Sequence, residues 1–148
     1  MIPATNERST MRNEISKTAY QECTRIAKGY YDLIEQHRQI EKEILYGSAA
    51  PADGMPGSRW PGNPTASKAE RMIREMADVD RKLAALQKAF DNLPDDWCRK
   101  LIVHNLFRKP RIALEILHDV HQYPMSVPTM KRIRRDYIVD VAHALGME

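Results

Sequence analysis

Cysteine is scarce in this chain. Cys23 and Cys98 are the only two in 148 residues, and they stand far apart and outside any Cys-x-x-Cys spacing. That argues against a disulfide framework and a cysteine-based zinc site and predicts a reducing compartment. Large aromatics are few as well, with two Phe and two Trp, so the core has to be built from Leu, Ile, Val, Ala and Met. A thin helical core suits that supply better than a thick sandwich. No apolar run approaches the roughly 18 residues needed to cross a bilayer. The opening Met1-Ile2-Pro3-Ala4-Thr5-Asn6-Glu7-Arg8 lacks the apolar core of a signal peptide. A cytoplasmic protein with no membrane partner is the expectation, and the length suits one compact domain or a small domain carrying an elongated arm.

What is present is helical periodicity. Residues 1–12 are polar and aperiodic and are expected to be a disordered lead-in. From Asn13 to Tyr46, the positions Ala19, Cys23, Ile26, Tyr30, Leu33, His37, Ile40 and Ile44 alternate spacings of four and three, a heptad seam. Gly29 interrupts it and predicts a kink or break near 28–31. Gly47–Pro64 holds four Gly and four Pro in eighteen residues and is read as a linker. A capping-box pattern, Ser67-x-x-Glu70, then opens a second helix to about Asn92. Its seam includes Met72, Met76, Val79, Leu83, Leu86 and Phe90. These six are the candidate oligomerisation residues, although heptads alone do not choose between a hairpin within the chain and a coiled coil between chains. Polar His37 on the first seam reads as a register residue.

After Pro94 three shorter helices are expected, forming a C-terminal domain over 94–148 distinct from the arm over 13–93. The first runs from a cap at Asp95 or Asp96 through 97–107 with Trp97 on its inner side. The second covers about 111–122 and buries Ile112, Leu114, Ile116, Leu117 and Val120. The third starts from the cap Ser126 and runs to Leu145, stopped by Gly146. The fold class is therefore all-α: a helical hairpin or coiled-coil arm plus a three-helix domain.

The formal net charge of +3 is unevenly placed: residues 1–96 hold 14 basic and 15 acidic side chains, and residues 97–148 hold 9 and 5. In the last helix Met130, Ile133, Tyr137, Ile138, Val141 and Leu145 form the apolar face. Pro128, Lys131, Arg132 and Arg135 lie at i, i+3, i+4 and i+7, a basic stripe on its N-terminal half. A helix, a short turn, a cap and a basic second helix are the pattern of a helix-turn-helix, whose second helix enters the major groove N-terminus first. Ser126 and Thr129 are expected to contact backbone or bases, Lys131 and Arg132 bases or phosphates, and Arg135 a phosphate. Lys109 and Arg111, from the same basic segment, complete the DNA-facing set.

The chain resembles the phage-encoded transcriptional regulators of the RinA/ArpU type. The resemblance is carried by Ile44-Leu45-Tyr46-Gly47-Ser48, the linker Asp53-Gly54-Met55-Pro56-Gly57-Ser58, Asn63-Pro64-Thr65, and Leu93-Pro94-Asp95-Asp96-Trp97. It continues in the stretch from Ser126 to Arg135 and closes with Val141-Ala142-x-x-Leu145-Gly146. The resemblance implies a sigma region-4-like helix-turn-helix and activation of late or packaging genes. The implied partners are duplex DNA, a second copy of the chain and the RNA polymerase of a bacterial host. Tyr123-Pro124-Met125 departs from the family, whose turn is small and often contains glycine. A small terminase subunit, which also joins a DNA-binding domain to an oligomerising arm, is the alternative.

No catalytic residue, cofactor or metal is expected. Glu115-x-x-His118 with Asp119 and His121 has metal-ligand spacing but lacks the second Glu-x-x-His of a di-iron bundle. The linker glycines Gly54, Gly57 and Gly62 are followed by no Gly-Lys-Ser/Thr. Trp60, Arg59 and Met55 remain as candidate docking or hairpin-covering side chains.

Overall fold

The computed structural model describes residues 15–46 and 64–147. The expected lead-in and the linker with Met55, Arg59 and Trp60 lie outside the described residues. Among the described residues the chain is all-α, with six helices, one π-helical turn and no strand. Helix α1 (Lys17–Lys28) is capped by Ser16, whose hydroxyl accepts from the Ala19 amide at 3.0 Å. Gly29 separates α1 from α2 (Tyr30–Tyr46), its amide bonding back to the Arg25 and Ile26 carbonyls at 3.1 Å. Helix α3 (Pro64–Asp91) begins three residues ahead of Ser67, which places Ser67 and Glu70 inside the helix and removes the expected capping box. Proline, with its φ already helical, is well suited to that first position.

Helix α4 (Asp96–Ile102) is capped by Asp95, whose carboxylate accepts from the Cys98 amide at 2.9 Å. It widens into a π-helical turn over Val103–Phe107, closed by the Arg108 amide on the Val103 carbonyl at 2.9 Å. The wide turn has a packing reason. Leu101 and Ile102 are buried, and so are Leu106 and Phe107 five residues on. A regular α-helix would rotate the second pair away from the inner face, whereas one i to i+5 turn brings it back. Helix α5 (Leu114–Asp119) is shorter than the sequence suggests, and α6 (Val127–Leu145) ends at Gly146, which adopts the left-handed φ of 73°.

The described residues divide into two compact units: 15–31 together with 84–147, and 32–46 together with 64–83. The division differs from the expected arm and C-terminal domain, because α1 packs along α6 instead of belonging to the arm. Within the first unit the C-terminal half of α6 is embedded. Tyr137, Ile138, Val139, Val141, Ala142 and Leu145 are all buried, and the Cys23 thiol of α1 reaches the Met147 sulfur at 3.7 Å. Val139 and Ala142 fall outside the expected apolar face, and packing of α1 on α6 supplies the second contact side. An aromatic group joins the elements: Phe107 stacks on Tyr30 at 4.3 Å and on Phe90 at 5.9 Å, and meets Tyr137 edge-on at 6.1 Å.

In the second unit His37 on α2 pairs with Asp80 on α3 at 3.0 Å, a polar link between the two helices. Ile40 and Val79 are buried there, while Ile34, Ile44, Leu45, Tyr46 and Ile73 are exposed. Ile44 therefore does not continue the buried seam. Among the candidate oligomerisation residues, Val79 and Leu86 are covered by the chain itself, at 2% and 0% exposure. Neither is open to a second copy. Met72, Met76 and Leu83 are half-buried in the second unit, and Phe90 is half-buried in the first, against Phe107.

Three further expectations are corrected. Ile116 and Val120 are exposed, because a six-residue α5 buries only Leu114 and Leu117 and Val120 falls beyond its end. Trp97 is exposed too, with its ring edge-on to Tyr123 at 5.0 Å and the Lys100 ammonium over its face at 4.7 Å.

Candidate nucleic-acid interface

Helices α5 and α6 are joined by the seven residues from Val120 to Ser126. The turn closes through the Val120 and His121 amides on the Ile116 carbonyl and the Tyr123 amide on the Leu117 carbonyl, at 2.8 to 3.2 Å. Gln122 supplies the left-handed conformation that glycine usually supplies, with φ of 54°. Under the turn Leu101, Leu114, Leu117, Tyr123 and Met130 form one buried cluster, flanked by Ile112, Met125, Val127 and Ile133. This cluster fixes the start of α6 against α4 and α5.

The cap of α6 is local. The Ser126 hydroxyl accepts from the Thr129 amide at 3.4 Å and donates to the Thr129 hydroxyl at 3.0 Å. Pro128 follows in the first turn, where its missing amide is not needed. Beyond the cap, Lys131, Arg132 and Arg135 are exposed, and none forms an ion pair with a described residue. Lys131, Arg132 and Arg135 thus share an exposed cationic face on the N-terminal half of α6.

The neighbouring arginines have other duties. Arg134 is half-buried and donates to the Asn105 side-chain oxygen at 3.1 Å, while the Asn105 amide nitrogen donates to the Ile112 carbonyl at 2.9 Å. Asn105, the one polar residue buried among the described residues, ties the π-turn to α6 and to Ile112 ahead of α5. A polar residue beside Leu106 and Phe107 on an apolar face was the available signal for it. Asn105→Ala strands the Arg134 guanidinium and the Ile112 carbonyl, and an expected loss of about 1–3 kcal/mol is measurable by urea unfolding.

Arg111, placed in the DNA-facing set by its charge, is spent within the chain. Its Nε donates to the Leu106 carbonyl at 3.1 Å and its terminal nitrogen to the Lys28 carbonyl at 2.9 Å, which binds the end of α1. Lys109 is exposed. His118 pairs with Asp119 at 2.8 Å, and no group of three or more metal-ligating side chains occurs among the described residues. No helix is long and apolar enough to cross a membrane among the described residues. No protein-family model matches this chain, and comparison with characterised proteins and with solved structures gives no match either.

Proposed function

We propose that this chain is a sequence-specific DNA-binding regulator of phage or prophage transcription, with α5 and α6 acting as a helix-turn-helix and the start of α6 entering the major groove. The supporting observation is the exposed Lys131, Arg132 and Arg135 face on the first half of α6, unpaired among the described residues and held by a buried cluster beneath the turn. Arginine and lysine on such a face can pair with phosphates or with the acceptor edge of guanine. Ser126 and Thr129 sit where backbone contacts to a phosphate are made at a helix start.

Self-association completes the reading. Large apolar side chains exposed in the second unit, Ile44, Leu45, Tyr46 and Ile73, favour a second copy as partner over the seam through Val79 and Leu86. The same exposure also supports the assembly-protein alternative, so one experiment has to separate the two. Selection on random duplexes, with mass measurement in parallel, does so. The regulator is expected to enrich a short motif and to have dimer mass, with Ile73→Asp lowering the mass without unfolding the chain. A ring-sized mass with no enriched motif would transfer the assignment to a packaging protein, and no duplex binding at low salt would end both.

A further inference from the structure

A second cationic surface lies on the other side of the buried cluster's sequence, on α4 and its π-helical extension. Lys100, His104 and Arg108 stand at i, i+4 and i+8. An α-turn advances slightly past a full revolution in four residues and the wider π-turn falls short of one, so the two offsets compensate and keep the three on one line. Lys100 and Arg108 are exposed and His104 is half-buried. His121 is exposed in the turn between α5 and α6, and its charge is among those that lower the His104 pKa.

The charges that act on His104 are all cationic: Arg108 and Lys100 from its own element, and His121 from the α5–α6 turn. No carboxylate is among them. None of the four forms an ion pair with a described residue, and the Lys100 ammonium is steadied over the Trp97 ring at 4.7 Å. Lys100 and Arg108 repel each other across this surface, His104 adds to that repulsion when protonated, and an anion relieves it. Burial and these neighbours hold His104 below its usual imidazole range, so it is neutral near pH 7 and gains charge when an anion approaches.

We infer that Lys100, His104, Arg108 and His121 form a second phosphate-contact surface for duplex DNA, separate in sequence from the α6 stripe. The partner's identity rests on the DNA-binding reading above. The geometry of the surface itself does not. Three positions on one line cover about 12 Å, and the phosphates of one strand recur about every 3.4 Å along the duplex axis, so more than one phosphate is within reach.

The test is equilibrium binding of the full chain to its selected duplex across a salt series, followed by fluorescence anisotropy. Lys100→Gln with Arg108→Gln is expected to reduce the slope of log K against log salt by about two, with helix content unchanged. Arg108→Gln alone, at an exposed cap position, serves as the second variant and should reduce it by about one. Wild-type affinity should rise as pH falls from about 7.5 to about 6, and His104→Gln should flatten that rise. A wild-type slope in the folded Lys100/Arg108 variants overturns this surface, and with it leaves an acidic protein as the partner of the patch. If Arg132 and Arg135 variants also retain the wild-type slope, the α6 reading fails separately. If wild-type chain binds no duplex, both fall.

Discussion

Replacing Arg132 and Arg135 together with Ala is expected to weaken duplex binding by about 10- to 100-fold at moderate salt and to lower the salt slope by about two, since each phosphate contact contributes roughly 0.9 to it. Both side chains are exposed and form no ion pair with a described residue, so their removal takes nothing from the core. The α6 backbone is fixed elsewhere, by Tyr137, Ile138, Val141 and Ala142 in its embedded half. Circular dichroism should therefore be unchanged. Arg134→Ala gives the contrast from the same helix: it loses the hydrogen bond to Asn105 and lowers stability, with little effect on the salt slope. Unchanged affinity and slope in the folded Arg132/Arg135 variant would remove α6 from the interface.

The largest stability effect is expected at Tyr137. Its side chain is 1% exposed, meets Phe107 edge-on at 6.1 Å and donates its hydroxyl to the Leu86 carbonyl of α3 at 3.1 Å. Tyr137→Ala removes the ring and leaves a cavity among α3, the π-turn and α6, a loss of about 3–5 kcal/mol. Against a total stability of about 5–15 kcal/mol for a small protein, that is a third or more of the margin at the lower half of the range. Tyr137→Phe keeps the ring and removes one hydrogen bond, at about 1 kcal/mol. Burial raises the phenol well above its usual value of 10.0, so the folded state holds the proton more tightly than the unfolded state. Stability from this group is complete below about pH 10 and is lost as pH rises beyond it, and Tyr137→Phe should remove that alkaline loss. Equilibrium denaturation of the three proteins at neutral and alkaline pH checks the order and the sign. A Tyr137→Ala variant as stable as wild type would mean that α6 is not anchored through this residue.

The two results bear on one design. The N-terminal half of α6 carries the exposed cationic face together with buried Met130, and its C-terminal half is held by α1, α3 and the π-turn, so the exposed charge and most of the anchoring lie on different parts of a single helix. Substitutions on the exposed Lys131, Arg132 and Arg135 face should change binding, and those at Met130, at Arg134 or in the second half should change folding.

The parts of this protein legible in sequence are those settled within about four residues. Asp95 and Ser126 cap their helices because a short acceptor side chain reaches an amide three positions on, and Gly29 and Gly146 end helices because their backbones relinquish helical geometry at little cost. The all-α class and the basic stripe of α6 follow from the same local periodicity. Tertiary structure decided the rest. Arg111 and Arg135 have the same chemistry, yet one is held by two carbonyls, that of Lys28 far away in sequence, and the other is free among the described residues. Ile116 and Val120 are apolar and exposed, while Asn105 is polar and buried with both ends of its amide satisfied. The π-turn, the packing of α1 on α6 and the covering of Leu86 within the chain depend in the same way on which surfaces meet. Spacing along a helix fixes which side chains share a face, but only the packing partner determines whether that face is covered, because burial free energy belongs to the contact between elements and not to either sequence segment alone.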